Sequence, residues 1–330
     1  MILLIGPGAV GTILATHLAV AKRLPLKIFV REKSLAAMQA ISELCVEPAG
    51  GKAPLRAARP ELTTRLDLTG VRYVFLCVKY PDLDALLLQL PPVPADCTLV
   101  STLNGVSPLR LIRERLPRAQ IVPMTVMFNG QLLSPLHARI TTRAQVLIGS
   151  DDETLLHAFD GSGLAAEQAE GDAAVWGKLL INLANAVCAI THTTFRDLLS
   201  NADLRAIYVH VLDEAVGLLD VAGVSYQLHV PLPYPLYRQF ILHGGPLPWW
   251  VAKLKNGLKD GAYPSMVADL EQGRRSEVDQ LNGEILRLAN HHGMKAPVNA
   301  GIVDNVHRME RSAQPPSFLS PKELRMRLGV

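Results

Sequence analysis

The chain has 330 residues, of which 49% are hydrophobic and 19% charged, and its formal net charge is only +3 at pH 7. This length suffices for two domains that each bury a core, and the composition is that of a folded globular protein rather than a disordered one. So small a charge removes the electrostatic case for nucleic acid or an anionic membrane as a partner.

Residues 1–5 read as a strand. Their apolar run breaks at Gly6-Pro7-Gly8 and has no basic segment ahead of it, so a signal peptide is not expected. Residues 9–21 follow as a helix and 26–30 as a second strand. Residues 71–78 form a third strand, 81–90 a helix, and 98–103 and 120–127 further strands. Strands that alternate with helices and are nearly apolar throughout predict a parallel sheet covered on both faces. An edge hairpin is expected over 135–150, from the alternation in 138–142 and again in 144–149. After residue 170 the periodicity becomes helical, and 174–190, 201–222 and 265–292 each read as one long helix. The stretch 229–264 is rich in Pro, Gly and aromatics, among them Trp249, Trp250 and Tyr263, and reads as an irregular cap or loop. The tail after Ala313 is expected to dock loosely. The resulting fold class is α/β: a doubly wound Rossmann domain over residues 1–170 and a mainly α-helical domain over 171–330. No run of about 18 uncharged apolar residues occurs, so no transmembrane helix is expected.

Gly6-Pro7-Gly8-Ala9-Val10-Gly11 fits the pattern G-x-G-x-x-G between a strand and a helix. Gly6 permits a tight turn, Gly8 lets a pyrophosphate approach the backbone, and Gly11 lets helix and strand pack closely. With Ala9 and Val10 it also opens the helix, whose free N–H groups and partial positive charge suit phosphate. The end of the second strand selects the cofactor. Arg31 suits the 2′-phosphate of NADP, because its planar fork can bind two oxygens; Glu32 would suit the ribose hydroxyl of NAD if the register moved by one. Lys79 follows the strand 71–78 at the ligand-facing edge of such a sheet, where it either holds the cofactor or is simply solvated. Asn104-Gly105 ends the next strand on that edge and by itself reads as a turn.

In the helical half, Lys178, Asn182 and Asn185 share one helix face among Leu179, Leu180, Ile181 and Leu183. They are either a site or a partly exposed polar stripe, since buried amides need partners. Ser265 follows a proline at a helix start, where its hydroxyl and the adjacent N–H groups could hold a carboxylate. Glu277 comes twelve residues later, ~18 Å along a straight helix, and with Asp279 reads by default as surface charge. Cys45, Cys77, Cys97 and Cys188 show no CxxC, and His192, His210, His291 and His292 no ligand spacing. Reduced thiols in a cytoplasmic protein without a metal are therefore expected.

Five segments, in order, resemble the ketopantoate reductase family (2-dehydropantoate 2-reductases, relatives of the 6-phosphogluconate dehydrogenase-like enzymes). They are GPGAVG at 6–11, CVKY at 77–80, LNGV at 103–106, WGKLLIN at 176–182 and PSMVADLEQGRRSEVDQLNG at 264–283. The resemblance covers nearly the whole chain, and the last segment is the most specific. It implies that NADPH reduces a small 2-oxo acid, with Lys178 as general acid and Glu277 as the acidic residue that orients the site near cofactor and substrate. It further implies that Ser265 and Asn182 bind substrate, that Asn104 lies beside the nicotinamide, and that Arg31 and Lys79 hold the adenosine end. A homodimer is compatible with it.

Three positions depart from the family pattern. Ala186 stands where a second asparagine follows the lysine by eight, with Asn185 one residue earlier. Ala262 replaces the asparagine that precedes the serine by three, and the segment after the lysine helix reads His192-Thr193-Thr194-Phe195. Lysine, serine and acid are kept while polar substrate contacts thin out. The resemblance thus implies 2-oxo acid reduction more strongly than 2-dehydropantoate itself. Two alternatives follow: a reductase of a bulkier 2-oxo acid, with Trp249, Trp250 and Phe195 as possible pocket walls, and a non-catalytic NADP sensor. Intact Lys178, Ser265 and Glu277 weigh against the sensor.

Overall fold

Every residue of the first strand, Ile2–Ile5, is buried, because it lies inside a parallel sheet with both faces covered. The computed structural model describes residues 1–228, 230, 232–312 and 317–330, and these divide into two units, Met1–Asp172 and Ala173–Val330.

The first unit runs β1 (Ile2–Ile5), α1 (Ala9–Ala21), β2 (Leu26–Phe29), α2 (Glu32–Gln39), β3 (Glu43–Glu47), β4 (Leu55–Ala58) and β5 (Glu61–Thr63). It continues with β6 (Tyr73–Leu76), α3 (Tyr80–Leu87), β7 (Thr98–Ser101), α4 (Ser107–Arg115), β8 (Gln120–Val126), β9 (Gly130–Ser134), β10 (His137–Ile140), β11 (Gln145–Ile148), α5 (Glu153–Leu156) and β12 (Ala165–Gln168). An eight-stranded sheet has the order β12-β11-β8-β7-β6-β1-β2-β5. It is parallel except where β11 meets β8. Side chains alternate across it with period two. Ile2 and Leu4 join a core with α1, while Leu3 and Ile5 join one with Leu83 and Leu86 of α3 and Ile112 of α4.

A second sheet, β4-β3-β10-β9, covers α1 from the other side. The sequence reading did not foresee it, although α1 carries its trace. Gly11 through Leu18 are all buried, and a helix that is apolar all round belongs in an interior. The expected edge hairpin over 135–150 is therefore wrong: β10 pairs with β3 and β9, whereas β11 pairs with β8 and β12. The two alternating runs belong to different sheets.

His17 of α1 is 5% exposed. Its Nδ1 lies 3.1 Å from the Ser162 carbonyl oxygen, and its Nε2 has no hydrogen-bond partner among the described residues. Burial lowers its pKa to about 4, partly opposed by that hydrogen bond. The unfolded chain takes up this proton near pH 6.5, the folded chain only near 4. The stability from a neutral His17 is thus complete above pH 6.5 and is lost as pH falls towards 4, by roughly 3 kcal/mol. Urea unfolding at pH 7 and pH 5 should show about 2 kcal/mol of this loss in the wild type and much less of it in His17→Gln; equal losses would remove His17 as the cause.

The second unit is helical, from α6 (Gly171–Asn182), which begins just ahead of it, and α7 (Ala184–Thr191) through α8 (Phe195–Ser200) and α9 (Ala202–Ala222). Then follow α10 (Tyr234–His243), α11 (Leu247–Asn256), α12 (Ser265–Glu271), α13 (Asn282–His291), α14 (Pro297–Arg311) and α15 (Pro321–Leu328). Helix α9 is capped as its sequence suggests, by Asn201 Oδ1 at one end and by Gly223, at φ 63°, at the other. The run Gly171–Thr191 is long and apolar enough to cross a membrane by length and composition alone, but 78% of its apolar 18-residue window is buried, as in a core helix.

Several expectations change here. The single helix over 174–190 is interrupted at Leu183, although Leu183 N–H still bonds the Leu179 carbonyl. The helix over 265–292 is broken between Glu271 and Asn282, with Gly273 left-handed at φ 63°. The loop over 229–264 contains α10 and α11, whose prolines sit in their first turns, where a missing N–H costs nothing. Residues 229 and 231 of that stretch lie outside the described residues. So do 313–316 of the tail, but 317–330 are firmly docked. Ser320 and Glu323 form a capping box, Leu324 is fully buried, and Leu319 N–H bonds the Ile190 carbonyl.

Candidate active site

The chain after β1 turns sharply at Gly6, whose φ of 94° is closed to other residues without strain. A Cβ on Gly11 would stand 2.1 Å from the Gly6 carbonyl oxygen, so only glycine lets α1 start this close to the turn. A Cβ on Gly8 would meet no atom of the described residues within 4 Å. Gly8 is the N-cap of α1 and offers no side-chain cap, so Ala9, Val10 and Gly11 open the helix towards that empty space. This cradle fits a pyrophosphate.

A pocket of about 460 Å³ stands in front of it, with Gly6, Gly8, Arg31, Ser34, Lys79, Asp82 and Gln89 among its walls. In the sheet, β2 and β6 flank β1, so Arg31 after β2 and Lys79 after β6 stand on either side of the glycine turn. Glu32 is not part of the wall. Arg31 is paired with Asp82 (Nη2 to Oδ1, 2.8 Å), both about half exposed. Cys77 also lines the pocket, with its thiol pushed up to about 12 by burial, so it is a neutral wall and not a nucleophile. Asn104 is half-buried beyond β7, in an Asn-Gly turn whose Gly105 has φ 82°. The pocket wall does not include it.

In the second unit, Lys178 is half-buried on α6 with Asn182 one turn later, and Asn185 lies just past the interruption, also half-buried. Burial lowers the Lys178 ammonium to about 8, and the Glu277 carboxylate pulls in the opposite direction. Glu277 thus acts on Lys178, whereas sequence spacing alone made it surface charge. Because the segment from Ser265 to Glu277 is not one helix, the ~18 Å separation does not apply. Ser265 is exposed in the first turn of α12. Two of the three departures from the family pattern lie together: Phe195 N–H bonds the Ala262 carbonyl, and His192 bonds Glu271 at 2.7 Å, its ring 5.3 Å from Tyr263 and 4.4 Å from Phe318. Trp249 is core, only 3% exposed, and Trp250 is exposed, so this pair does not act together as a pocket wall.

Three features escaped the sequence reading. Asp82 and Ser34 sit in helices, not at strand ends. Gly177 is needed because a Cβ there would lie 1.7 Å from the Gln227 carbonyl oxygen. Glu310 of α14 accepts hydrogen bonds from the backbone and hydroxyl of Ser276, at 2.8 and 2.7 Å, and so fixes the turn that presents Glu277.

A nucleotide-type sheet with a glycine cradle, together with a helical unit that holds a lysine near neutrality, defines an oxidoreductase of the dehydrogenase class. The chain belongs to the ketopantoate reductase family: residues 2–153 match its model "Ketopantoate reductase PanE/ApbA" and residues 172–310 the corresponding C-terminal model. A 2-dehydropantoate 2-reductase of Mesorhizobium japonicum is 25% identical, over 93% of this chain and 97% of that one. The crystal structure of a PanE/ApbA family ketopantoate reductase from Ralstonia eutropha superposes with TM-score 0.75 at 25% identity, covering 94% of this chain and 98% of that one. D-mandelate dehydrogenase with NADH and anilino(oxo)acetate superposes with TM-score 0.73 at 20% identity, over 94% and 98%, and shows the same fold.

Proposed function

We propose that this protein reduces a 2-oxo acid to the 2-hydroxy acid, with 2-dehydropantoate to pantoate as the leading reaction, and that NADPH is the donor. The first domain, 1–170, would hold the cofactor through Gly6, Gly8, Ala9, Val10, Gly11, Arg31 and Lys79, and the second, 171–330, the substrate. The single observation that carries the reading is Lys178, a half-buried lysine on α6 whose ammonium is lowered to about 8 by burial, with Glu277 acting in the opposite sense. A group poised there is largely protonated at neutral pH and still gives up a proton readily.

When bound, NADPH supplies a hydride to the carbonyl carbon. As that carbon is reduced, Lys178 Nζ passes its proton to the carbonyl oxygen, which becomes the hydroxyl, and the neutral amine is reprotonated from water. Until then its charge stabilises the developing alkoxide. Glu277 favours the charged lysine and orients the site. Asn182, Asn185 and Ser265 bind the substrate's oxygens, and Asn104 supports the nicotinamide end. The four unpaired cysteines suit a cytoplasmic enzyme. A homodimer belongs to the same reading and is decided by sedimentation.

The thinned polar contacts and the contact of His192 with Tyr263 and Phe318 favour a second substrate reading, a bulkier or less polar 2-oxo acid. The test is NADPH oxidation with 2-dehydropantoate beside a panel of aliphatic and aromatic 2-oxo acids. A kcat/KM above roughly 10⁴ M⁻¹s⁻¹ for 2-dehydropantoate is expected. A clear preference for another acid would move the substrate, and NADPH binding without any turnover would leave a sensor.

A further inference from the structure

We propose that Asp82 sets how strongly this site prefers the 2′-phosphorylated cofactor, by holding Arg31 when no phosphate is present and competing for it when one is. The inference rests on the cofactor reading above and deepens it. Asp82 lies in the first turn of α3, after β6, and Arg31 is the N-cap of α2, after β2. Because β2 and β6 flank β1, their ion pair at 2.8 Å forms part of the wall of the pocket in front of the glycine turn.

The pocket wall carries two cations, Arg31 and Lys79, and one carboxylate, Asp82. A 2′-phosphate has the same sign of charge as Asp82 and needs the guanidinium that Asp82 holds, so it must displace the carboxylate or share with it. A ribose 2′-hydroxyl faces no such conflict, since it can donate a hydrogen bond to the carboxylate. One side chain therefore penalises one cofactor and accommodates the other. The exposed pair contributes little to folding, so a substitution there reports on binding and not on stability.

The test measures dissociation constants of NADPH and NADH, and of adenosine 2′,5′-bisphosphate and 5′-AMP as probes of the adenosine end alone, for the wild type and Asp82→Asn. The variant should bind NADPH and the bisphosphate about tenfold more tightly, the order of one close charge interaction in largely solvated surroundings. NADH and 5′-AMP should bind no more tightly than before. In an Arg31→Ala background, Asp82→Asn should give no such gain. An unchanged NADPH to NADH ratio, weaker NADPH binding by the variant, or an undiminished gain without Arg31 would each overturn the role of Asp82. Failure of the wild type to bind either dinucleotide is a different result: it removes the cofactor reading and this inference with it.

Discussion

Replacing Lys178 by alanine should lower kcat for 2-oxo acid reduction by about 10²- to 10⁴-fold, the range of a positioned general acid, with cofactor affinity nearly unchanged. The lysine is on α6 and the glycine cradle is in the other unit, so the proposed general acid and the proposed dinucleotide site rest on separate residues. Single-turnover kinetics with saturating cofactor would read the chemical step directly. Wild-type rates in Lys178→Ala would remove the general-acid assignment while leaving the fold and the cofactor site intact.

The pH dependence follows from the same residue. Lys178 is charged below about 8 and neutral above it. Reduction needs the proton, so its kcat should fall as pH rises through 8, while oxidation of the 2-hydroxy acid needs the free amine and should rise over the same interval. Glu277 raises the Lys178 value against the larger effect of burial. Glu277→Gln should therefore move both midpoints to lower pH. A midpoint that stays in place would mean that Glu277 acts on the substrate or on position rather than on this proton.

The parallel sheet was legible because each interior strand is a short apolar run bounded by turn residues, and α9 because Asn201 and Gly223 mark its ends. The second sheet was not. Its strands Glu43–Glu47 and His137–Ile140 pair across about ninety residues of sequence, and local alternation does not say which partner a strand finds. The same blindness turned β10 and β11 into a hairpin. Helical periodicity likewise ran through Gly273, because the apolar spacing resumes in α13 after the break. In the candidate site, the topology of such sheets pointed to strand ends; Arg31 and Lys79 do line the pocket, whereas Asn104, read by the same rule, is not part of its wall. Asp82 was passed over because an acid in a first helical turn already has an ordinary explanation, the helix dipole. Burial around Lys178 and its coupling to Glu277 are tertiary facts, and spacing alone left the lysine between a site and a polar stripe.

Gly177→Ala should be among the most damaging small substitutions in the second unit. An added methyl would lie 1.7 Å from the Gln227 carbonyl oxygen and 2.5 Å from its carbon. Those are backbone atoms, so no side-chain rotation relieves the overlap. The 224–228 segment must move away from α6, which breaks the hydrogen bond from Gln227 N–H to the Ala173 carbonyl, or the helix must shift and carry Lys178 with it. Overpacking of this kind costs about 1–3 kcal/mol or more. If Lys178 is the proposed general acid, displacing it by ~1 Å costs on the order of 100-fold in rate. Thermal unfolding should therefore begin at a lower temperature and kcat should fall. NADPH affinity should stay near wild type, because the cradle at Gly6 to Gly11 lies in the first unit. A variant with unchanged unfolding and unchanged kcat would show that the loop yields freely, and that the glycine beside the lysine is not what holds it in place.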